Sequence, residues 1–142
     1  MSAPFTTQRR VEFCETDAAG IVHFAEFFPY MEQAEHALLR HVGLSVVLED
    51  EDGIVSWPRV SASCEYQGTA KFEDVLDIAV RIERLGTRSV TYAFEFTREG
   101  QMIATGRITA VCCRVSPDRR LHSMNIPERI AGPLRKFLQG EP

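Results

Sequence analysis

The alternation of apolar and polar residues along the chain predicts five β-strands and one long helix. Residues 7–13 alternate with the two-residue period of a strand that has one buried face. The same alternation recurs in four later segments, at residues 59–66, 76–83, 90–97 and 102–115. Between residues 26 and 42 the apolar positions instead follow the period of a helix. Pro29 is compatible with this helix only near its first turn, and Gly43 is a natural stop.

The order of these elements predicts an α+β fold in a single domain. Hairpin turns at residues 85–88 and 98–101 join consecutive strands, and we expect a loop at 45–58 and a short helix at 127–138. Only one long helix is available to cover the apolar faces of the strands. The economical arrangement is an antiparallel β-sheet of about five strands wrapped around one long central α-helix, over residues 1–142. Two such sheets that pair edge to edge would also satisfy an exposed edge strand.

The composition is that of a cytoplasmic globular protein. The 142 residues include 16 basic and 20 acidic side chains, so the net charge is −4 and the chain lacks the basic excess of a general nucleic-acid binder. No apolar run approaches the roughly 18–20 residues of a membrane span, and the N-terminus has no apolar core of the signal-peptide kind. We therefore expect a cytoplasmic protein that binds neither nucleic acid nor membrane.

Several kinds of catalytic or metal site are disfavoured by the sequence. No serine stands in a GxSxG motif, and there is no GxGxxG motif or P-loop. Glu32, Glu35 and His36 share the predicted helix, but without an HExxH motif their spacing is more typical of a solvated helix face than of metal ligands. We expect no metal. The four cysteines form no CxxC pair, and we expect all of them to be small packing residues: Cys14, Cys64, Cys112 and Cys113.

One segment combines a carboxylate with the start of the predicted helix. Asp17 follows the first strand and precedes Ala18, Ala19 and Gly20, whose small size lets the backbone approach a ligand closely. The helix begins a few residues later, and the unpaired N–H groups at its N-terminus can stabilise an oxyanion that develops on a carbonyl. From the residues alone two interpretations stand: Asp17 is a catalytic nucleophile or base, or it merely caps a turn.

This segment resembles the 4-hydroxybenzoyl-coenzyme A thioesterase family of hot-dog proteins. That family carries an Asp-x-Ala/Gly-Gly motif and two hydrophobic residues before its long helix, and residues 17–22 read Asp-Ala-Ala-Gly-Ile-Val. The likeness extends over residues 8–115. It includes Phe27, Tyr30, Met31 and Arg40 in the predicted helix, Gly43 just after it, and later segments at residues 63–66, 72–76 and 86–90. The resemblance implies a hot-dog fold and an acyl-coenzyme A thioesterase.

The resemblance also implies roles for individual residues. Asp17 matches the catalytic carboxylate of the family, and by spacing the backbone N–H that polarises the thioester carbonyl belongs to Phe24. Gly20 and Val22 of the motif are expected to border the substrate. Many bacterial members have histidine seven residues after the aspartate, whereas here that position is Phe24 and the histidine is His23. His23 therefore assists catalysis, touches the substrate or is simply packed.

Two further residues are candidates for binding the substrate. Glu32, on the predicted helix, either selects a substrate hydroxyl in a pocket shared with a partner subunit, or faces solvent or an interface ion pair. Arg88 lies at a turn that matches the basic turn of the family, and it is the best single candidate for binding the phosphates of coenzyme A. The alternative for Arg88 is an ordinary surface cation. Candidate helpers for the phosphates are Lys71, Arg119 and Arg120.

The resulting hypothesis is an enzyme that hydrolyses an acyl-coenzyme A thioester with an aromatic or a short to medium aliphatic acyl group. It needs no cofactor, because coenzyme A is part of the substrate. The resemblance implies an active site at a dimer interface, hence a homodimer at minimum, and the pairing of dimers into a homotetramer. Two alternatives remain: a thioesterase for acyl carrier protein, or a non-catalytic acyl-coenzyme A binding module with the same fold. The carboxylate of Asp17 argues against the second, because binding alone does not need it.

Overall fold

The fold is built from antiparallel strands and one long helix. The structure, a computed structural model, describes residues 3–140. In chain order its elements are β1 (Phe5–Arg10), α1 (Phe27–His41), β2 (Leu48–Asp50), β3 (Gly53–Ser56), β4 (Arg59–Tyr66), β5 (Val75–Leu85), β6 (Ser89–Arg98), β7 (Gln101–Val111), β8 (Cys113–Val115), β9 (Leu121–Ser123) and α2 (Glu128–Leu134). Short 3-10 turns lie at Phe13–Glu15, Phe24–Glu26 and Arg135–Phe137. Neither helix in the described range is long and apolar enough to cross a membrane.

Five of the strands form the larger of two sheets. They lie in the order β1-β5-β6-β7-β4, and every neighbouring pair is antiparallel. Alternate apolar side chains of β5 and β6 are buried on one face of this sheet, as their period of two predicts. The predicted α+β architecture, with an antiparallel sheet of five strands and one long helix, is therefore confirmed.

Helix α1 packs its apolar stripe against the inner face of the larger sheet. Tyr30 and Met31 of this stripe are fully buried. A Cβ at Gly106 of β7 would overlap the Sδ atom of Met31, so the glycine lets helix and sheet approach closely. Pro29 is the third residue of the helix, within its first turn, and Gly43 follows the C-terminus with a φ of 83°. The predicted helix is confirmed, and each observed end lies one residue inside the predicted one.

The second sheet contains four short strands, in the order β2-β3-β8-β9, and the sequence does not predict it. Residues 45–58 were expected to form a loop because of their acidic cluster, and that prediction is wrong, since β2 and β3 lie there. Asp50 of this cluster bonds Arg114 at 2.6 Å and Arg129 at 2.7 Å. The hydrogen bond from Arg114 lowers the pKa of Asp50. The acidic segment is thus ordered by arginines that lie far away in the sequence.

Two predicted strands have other boundaries in the structure. The strand expected at residues 7–13 ends at Arg10, because the chain enters a 3-10 turn in which Phe13 is 73% exposed. The strand expected at residues 102–115 is broken at Cys112, whose N–H donates to the carbonyl of Arg88 at 2.7 Å. Its last three residues form β8 in the second sheet. A period-two pattern alone does not reveal either break.

The C-terminal helix and one cysteine also differ from the predictions. The helix expected at residues 127–138 consists of α2 and a following 3-10 turn, because Pro133 lacks the N–H that would continue the α-helical bonding. Three cysteines are buried or half-buried, as expected for packing residues. Cys14 is exposed in the 3-10 turn after β1, so its prediction as a packing residue is wrong.

Strand β4 leaves one edge of the larger sheet open. Six of its eight residues are exposed, including Val60 (63% exposed) and Tyr66. The apolar face predicted for this strand is therefore only partly covered within the protomer. Unpaired backbone groups and exposed apolar side chains are the features of an edge that can pair with another strand.

A buried ion pair joins α1 to the start of β4. Glu35 is 1% exposed, and its two carboxylate oxygens accept hydrogen bonds from Nη1 and Nη2 of Arg59 at 2.9 and 2.7 Å. Burial raises the pKa of Glu35, and the hydrogen bonds and charge of Arg59 oppose this rise without cancelling it. Removal of either partner would leave the other charge without compensation in a region of low polarity.

The variant Glu35→Ala should destabilise the fold by about 3 kcal/mol, because it leaves Arg59 without its partner. The estimate is at the lower end for a broken buried pair, since Arg59 keeps some contact with water. The double variant Glu35→Leu/Arg59→Leu should lie closer to the wild type, because it removes both charges together. A double-mutant cycle by chemical denaturation measures the coupling, and strictly additive losses would contradict this account.

Candidate active site

Asp17 lies in a tight turn that its own side chain stabilises. Its Oδ1 accepts a hydrogen bond from the Ala19 N–H at 2.8 Å, and its N–H donates to the Ile21 carbonyl at 2.8 Å. The Gly20 N–H donates to the Asp17 carbonyl at 2.9 Å, and Gly20 has a φ of 81°, which glycine adopts at little cost. Within the described residues, Asp17 Oδ2 accepts no hydrogen bond. Capping of the turn thus occupies one carboxylate oxygen and leaves the other available.

Backbone pairing closes this turn into a small hairpin. Thr16 forms an antiparallel bridge with Val22, and the His23 N–H donates to the Glu15 carbonyl at 2.9 Å. We call residues 15–23 the carboxylate hairpin. Its closed base fixes the spacing between the turn that carries the carboxylate and the 3-10 turn that leads into α1.

The first N–H of the 3-10 turn Phe24–Glu26 has no partner among residues 3–140. Because Phe24 is the first residue of this turn, its N–H finds no acceptor within it, and it donates to no other group among residues 3–140. His23 caps the turn, since its Nδ1 accepts the Ala25 N–H at 3.1 Å. The His23 ring also stacks on that of Phe24, with centroids 4.7 Å apart. The structure therefore gives His23 a capping role that the sequence does not predict.

A cavity of about 200 Å³ lies beside the carboxylate hairpin. It is lined by Asp17, Ile21, Val22, Phe24, Phe27, Tyr66, Gly68, Thr69 and Ala70. Among these residues, Asp17 supplies the single carboxylate. The Tyr66 hydroxyl donates to the Phe24 carbonyl at 2.9 Å and so holds the 3-10 turn against the end of β4. The structure thus brings Asp17, Phe24 and Val22 together, whereas Gly20 shapes the turn without lining the cavity.

Asp74 and Arg98 together hold residues 69–71, a segment that contributes Thr69 and Ala70 to the cavity wall. Asp74 Oδ2 accepts hydrogen bonds from the Lys71 N–H and from Arg98 Nη1, both at 2.9 Å, and Arg98 Nη1 also donates to the Thr69 carbonyl at 2.8 Å. Burial of the carboxyl group acts to raise the pKa of Asp74, but these hydrogen bonds outweigh it and lower the pKa. Asp74 therefore stabilises the fold at a pH above the pKa that its carboxyl group has in the unfolded chain. This stabilisation is lost as the pH falls through the lower pKa that the group has in the folded protein. Sequence reasoning missed Asp74 and the role of Tyr66, because their partners are distant in sequence or part of the main chain.

Arg88 lies away from this cavity within the protomer. Arg88 follows the C-terminal end of β5, whereas the cavity adjoins the residues that precede the N-terminal end of β5. The length of the strand, roughly 30 Å, therefore separates Arg88 from the cavity. The Arg88 guanidinium donates to Ser123 Oγ at 3.2 Å and Asn125 Oδ1 at 3.1 Å, and to no carboxylate in the described part of the chain. Its charge is therefore available to an anion. Two of the three candidate helpers, Lys71 and Arg120, are each paired with a carboxylate.

Glu32 does not line the cavity either. It is exposed on α1, and its nearest charged partner is Arg59, with 3.9 Å between Glu32 Oε2 and Arg59 Nη2. Glu35, which shares the helix, is already bound to Arg59. No cluster of three or more histidine, cysteine, aspartate or glutamate side chains among residues 3–140 is arranged to hold a metal ion.

The chain belongs to the thioesterase-like superfamily. The family model matches residues 11–134, which include the carboxylate hairpin, α1 and the larger sheet apart from β1. The membership predicted from the motif at residues 17–22 is therefore confirmed.

Relatives named for the hydrolysis of coenzyme A thioesters are similar to this chain over most of its length. A 4-hydroxybenzoyl-CoA thioesterase from a Pseudomonas species is 31% identical, over 69% of this chain and 71% of the relative. A 1,4-dihydroxy-2-naphthoyl-CoA hydrolase from Synechococcus elongatus is 28% identical, over 90% of this chain and 93% of the relative. Among solved structures, a gentisyl-coenzyme A thioesterase is 27% identical, with a TM-score of 0.77 over 89% of this chain and 99% of its own.

The variant His23→Ala should lower the free energy of unfolding by about 1 kcal/mol, because the Ala25 N–H loses its acceptor. His23→Asn should retain most of that stability, since asparagine is among the best residues at this capping position. Chemical denaturation of the three proteins measures the difference. Equal stability of the alanine variant and the wild type would show that the cap contributes nothing.

Proposed function

We propose that the protein hydrolyses acyl-coenzyme A thioesters, with Asp17 as the catalytic carboxylate and the Phe24 N–H as the donor to the carbonyl oxygen. The observation that carries this proposal is a single cavity lined by both residues. Asp17 there has one carboxylate oxygen without a hydrogen bond, and the Phe24 N–H has no partner in the described part of the chain. Membership of the thioesterase-like superfamily and the named reactions of the relatives support the same chemistry.

Two routes of attack are open to Asp17. As a general base it takes a proton from water while the water oxygen attacks the thioester carbon; as a nucleophile it attacks directly and forms an anhydride that water then hydrolyses. In both routes negative charge develops on the carbonyl oxygen, where the Phe24 N–H stabilises it; loss of one such donor typically costs about 10²–10³ in rate. When the tetrahedral intermediate collapses, the C–S bond breaks and its electron pair leaves with the thiolate of coenzyme A. In the general-base route this step yields the acid directly; in the nucleophilic route it yields the anhydride, and hydrolysis of the anhydride then releases the acid.

The acyl group that this cavity suits best is small and apolar. Its lining is mainly aromatic and aliphatic, with Phe24, Phe27 and Tyr66 contributing rings. A volume of about 200 Å³ accommodates one aromatic ring or a short to medium aliphatic chain. The three relatives are all named for aromatic acyl groups, which favours the aromatic substrate.

We propose that a second copy of the chain completes the site. Arg59 begins β4 at the end of the sheet near Arg88, whereas Tyr66 ends β4 beside the cavity. Antiparallel pairing of two open β4 edges about a two-fold axis would therefore bring Arg88 of one protomer towards the cavity of the other. Arg88 would then bind the phosphates of coenzyme A. Glu32, which lies near Arg59 at the start of β4, would approach the partner's cavity too. The pairing of dimers into tetramers stays a prediction.

The variant Asp17→Asn should abolish hydrolysis, because the amide can neither accept a proton from water nor attack the thioester. The measurement is thiol release from a panel of aromatic and aliphatic acyl-coenzyme A esters by wild type and variant in parallel. An unchanged thermal melt of the variant is the control for folding. Equal hydrolysis by the variant would remove Asp17 from the mechanism, and no hydrolysis by the wild type would leave a binding module.

The variant Arg88→Ala should raise KM for the coenzyme A ester about tenfold or more, because a phosphate loses a charge-assisted hydrogen bond. It should leave KM for a short thioester without the nucleotide nearly unchanged, and steady-state kinetics on both substrates measure the contrast. An equal rise in both would contradict a role in phosphate binding.

Free coenzyme A should inhibit the wild type, whereas an enzyme for acyl carrier protein would be nearly indifferent to it.

A further inference from the structure

A buried carboxylate lies at the base of the carboxylate hairpin and takes no part in the chemistry above. Glu15 is 8% exposed. Its Oε1 accepts hydrogen bonds from the Tyr30 hydroxyl and from the Glu12 N–H, both at 2.8 Å, and its Oε2 is paired with the guanidinium of Arg9. A buried charge with several donors is held in one position, because any other rotamer would leave the charge and its donors unsatisfied.

The side-chain partners of Glu15 come from the two regular elements on either side of the hairpin. Arg9 belongs to β1, and Tyr30 is fully buried in the first turn of α1. The Arg9 guanidinium also lies over the Tyr30 ring, 5.1 Å from its centroid, so the three side chains form a closed triangle. Burial and the neighbouring carboxylate raise the pKa of Tyr30, which keeps its hydroxyl a donor. The triangle therefore ties the hairpin to both the sheet and the helix.

The main chain of Glu15 connects this triangle to the two groups that are proposed to react. Its carbonyl accepts the His23 N–H at 2.9 Å, and the next N–H along the chain is that of Phe24. Asp17 stands two residues after Glu15 on the same arm of the hairpin, opposite the arm that leads to His23 and Phe24. A displacement of Glu15 would therefore shift the carboxylate of Asp17 relative to the Phe24 N–H.

We propose that Glu15 is a positioning residue for thioester hydrolysis: its side chain, held by Arg9 and Tyr30, fixes the Asp17 carboxylate against the Phe24 N–H. The inference rests on the proposed function. A misplacement of about 1 Å in a catalytic group can cost about 100-fold in rate. Because Glu15 does not line the cavity, its loss should act on kcat and leave KM nearly unchanged.

The test compares Glu15→Ala, Glu15→Gln and Tyr30→Phe in steady-state kinetics. Glu15→Ala should lower kcat about 100-fold and change KM less than about twofold. Glu15→Gln should recover part of this loss, since the amide oxygen still accepts from the Tyr30 hydroxyl. The double variant Glu15→Ala/Tyr30→Phe should be no slower than Glu15→Ala alone, because both substitutions break the same anchor.

The matched control is Glu35→Gln. Glu35 is also a buried carboxylate bound to an arginine, but it is not connected to the carboxylate hairpin. This control should lower Tm, as Glu15→Ala does, and leave kcat unchanged. The proposal is overturned by an unchanged kcat in Glu15→Ala, or by equal falls in kcat for the two variants at equal loss of Tm.

Amide hydrogen exchange separates this inference from the proposed function. In Glu15→Ala the His23 and Asp17 N–H groups should exchange faster than in the wild type, at a temperature where both proteins are folded. If the wild type hydrolyses no ester, the proposed function fails, and exchange alone then decides whether Glu15 anchors the hairpin. Unchanged exchange at both amides would overturn the anchoring role.

Discussion

The hydrogen bond from the His23 N–H to the Glu15 carbonyl is the contact on which the candidate site depends. It closes the carboxylate hairpin just before the 3-10 turn that leads into α1, so Asp17 and Phe24 line one cavity. The buried side chain of Glu15 stabilises one end of this hydrogen bond, and the capping His23 ring stabilises the other. A short polar loop thereby acquires a fixed geometry, as the proposed acyl transfer would require.

The larger sheet separates the cavity from Arg88 within one protomer. Its strands place the cavity at one end and Arg88 at the other, and the open edge of β4 runs between these two ends. A two-fold axis at this edge would satisfy the unpaired backbone of β4 and cover its exposed apolar side chains. It would also separate the tasks, since bond cleavage would use one protomer and recognition of the nucleotide would use the other.

The sequence predicts those features that depend on local periodicity or local motifs. Burial on one face dictates the patterns of α1, β5 and β6, and the Asp17 motif is contiguous, so all of these can be recognised. Residues 45–58 are mispredicted because the charge of Asp50 is compensated by arginines that follow more than 60 positions later. The sequence does not predict the anchoring contacts of Glu15 for a related reason, since the burial of this residue depends on the packing of α1 over the hairpin.

The most direct test of this account asks whether Asp17 and Arg88 of different protomers serve one site. Heterodimers of Asp17→Asn and Arg88→Ala, purified through two different tags, contain one site with both groups intact and one site with neither. At low ester concentration they should recover about half of the wild-type rate, although each parent homodimer is impaired. A rate no higher than the mean of the two parents would contradict a site that is shared across the dimer.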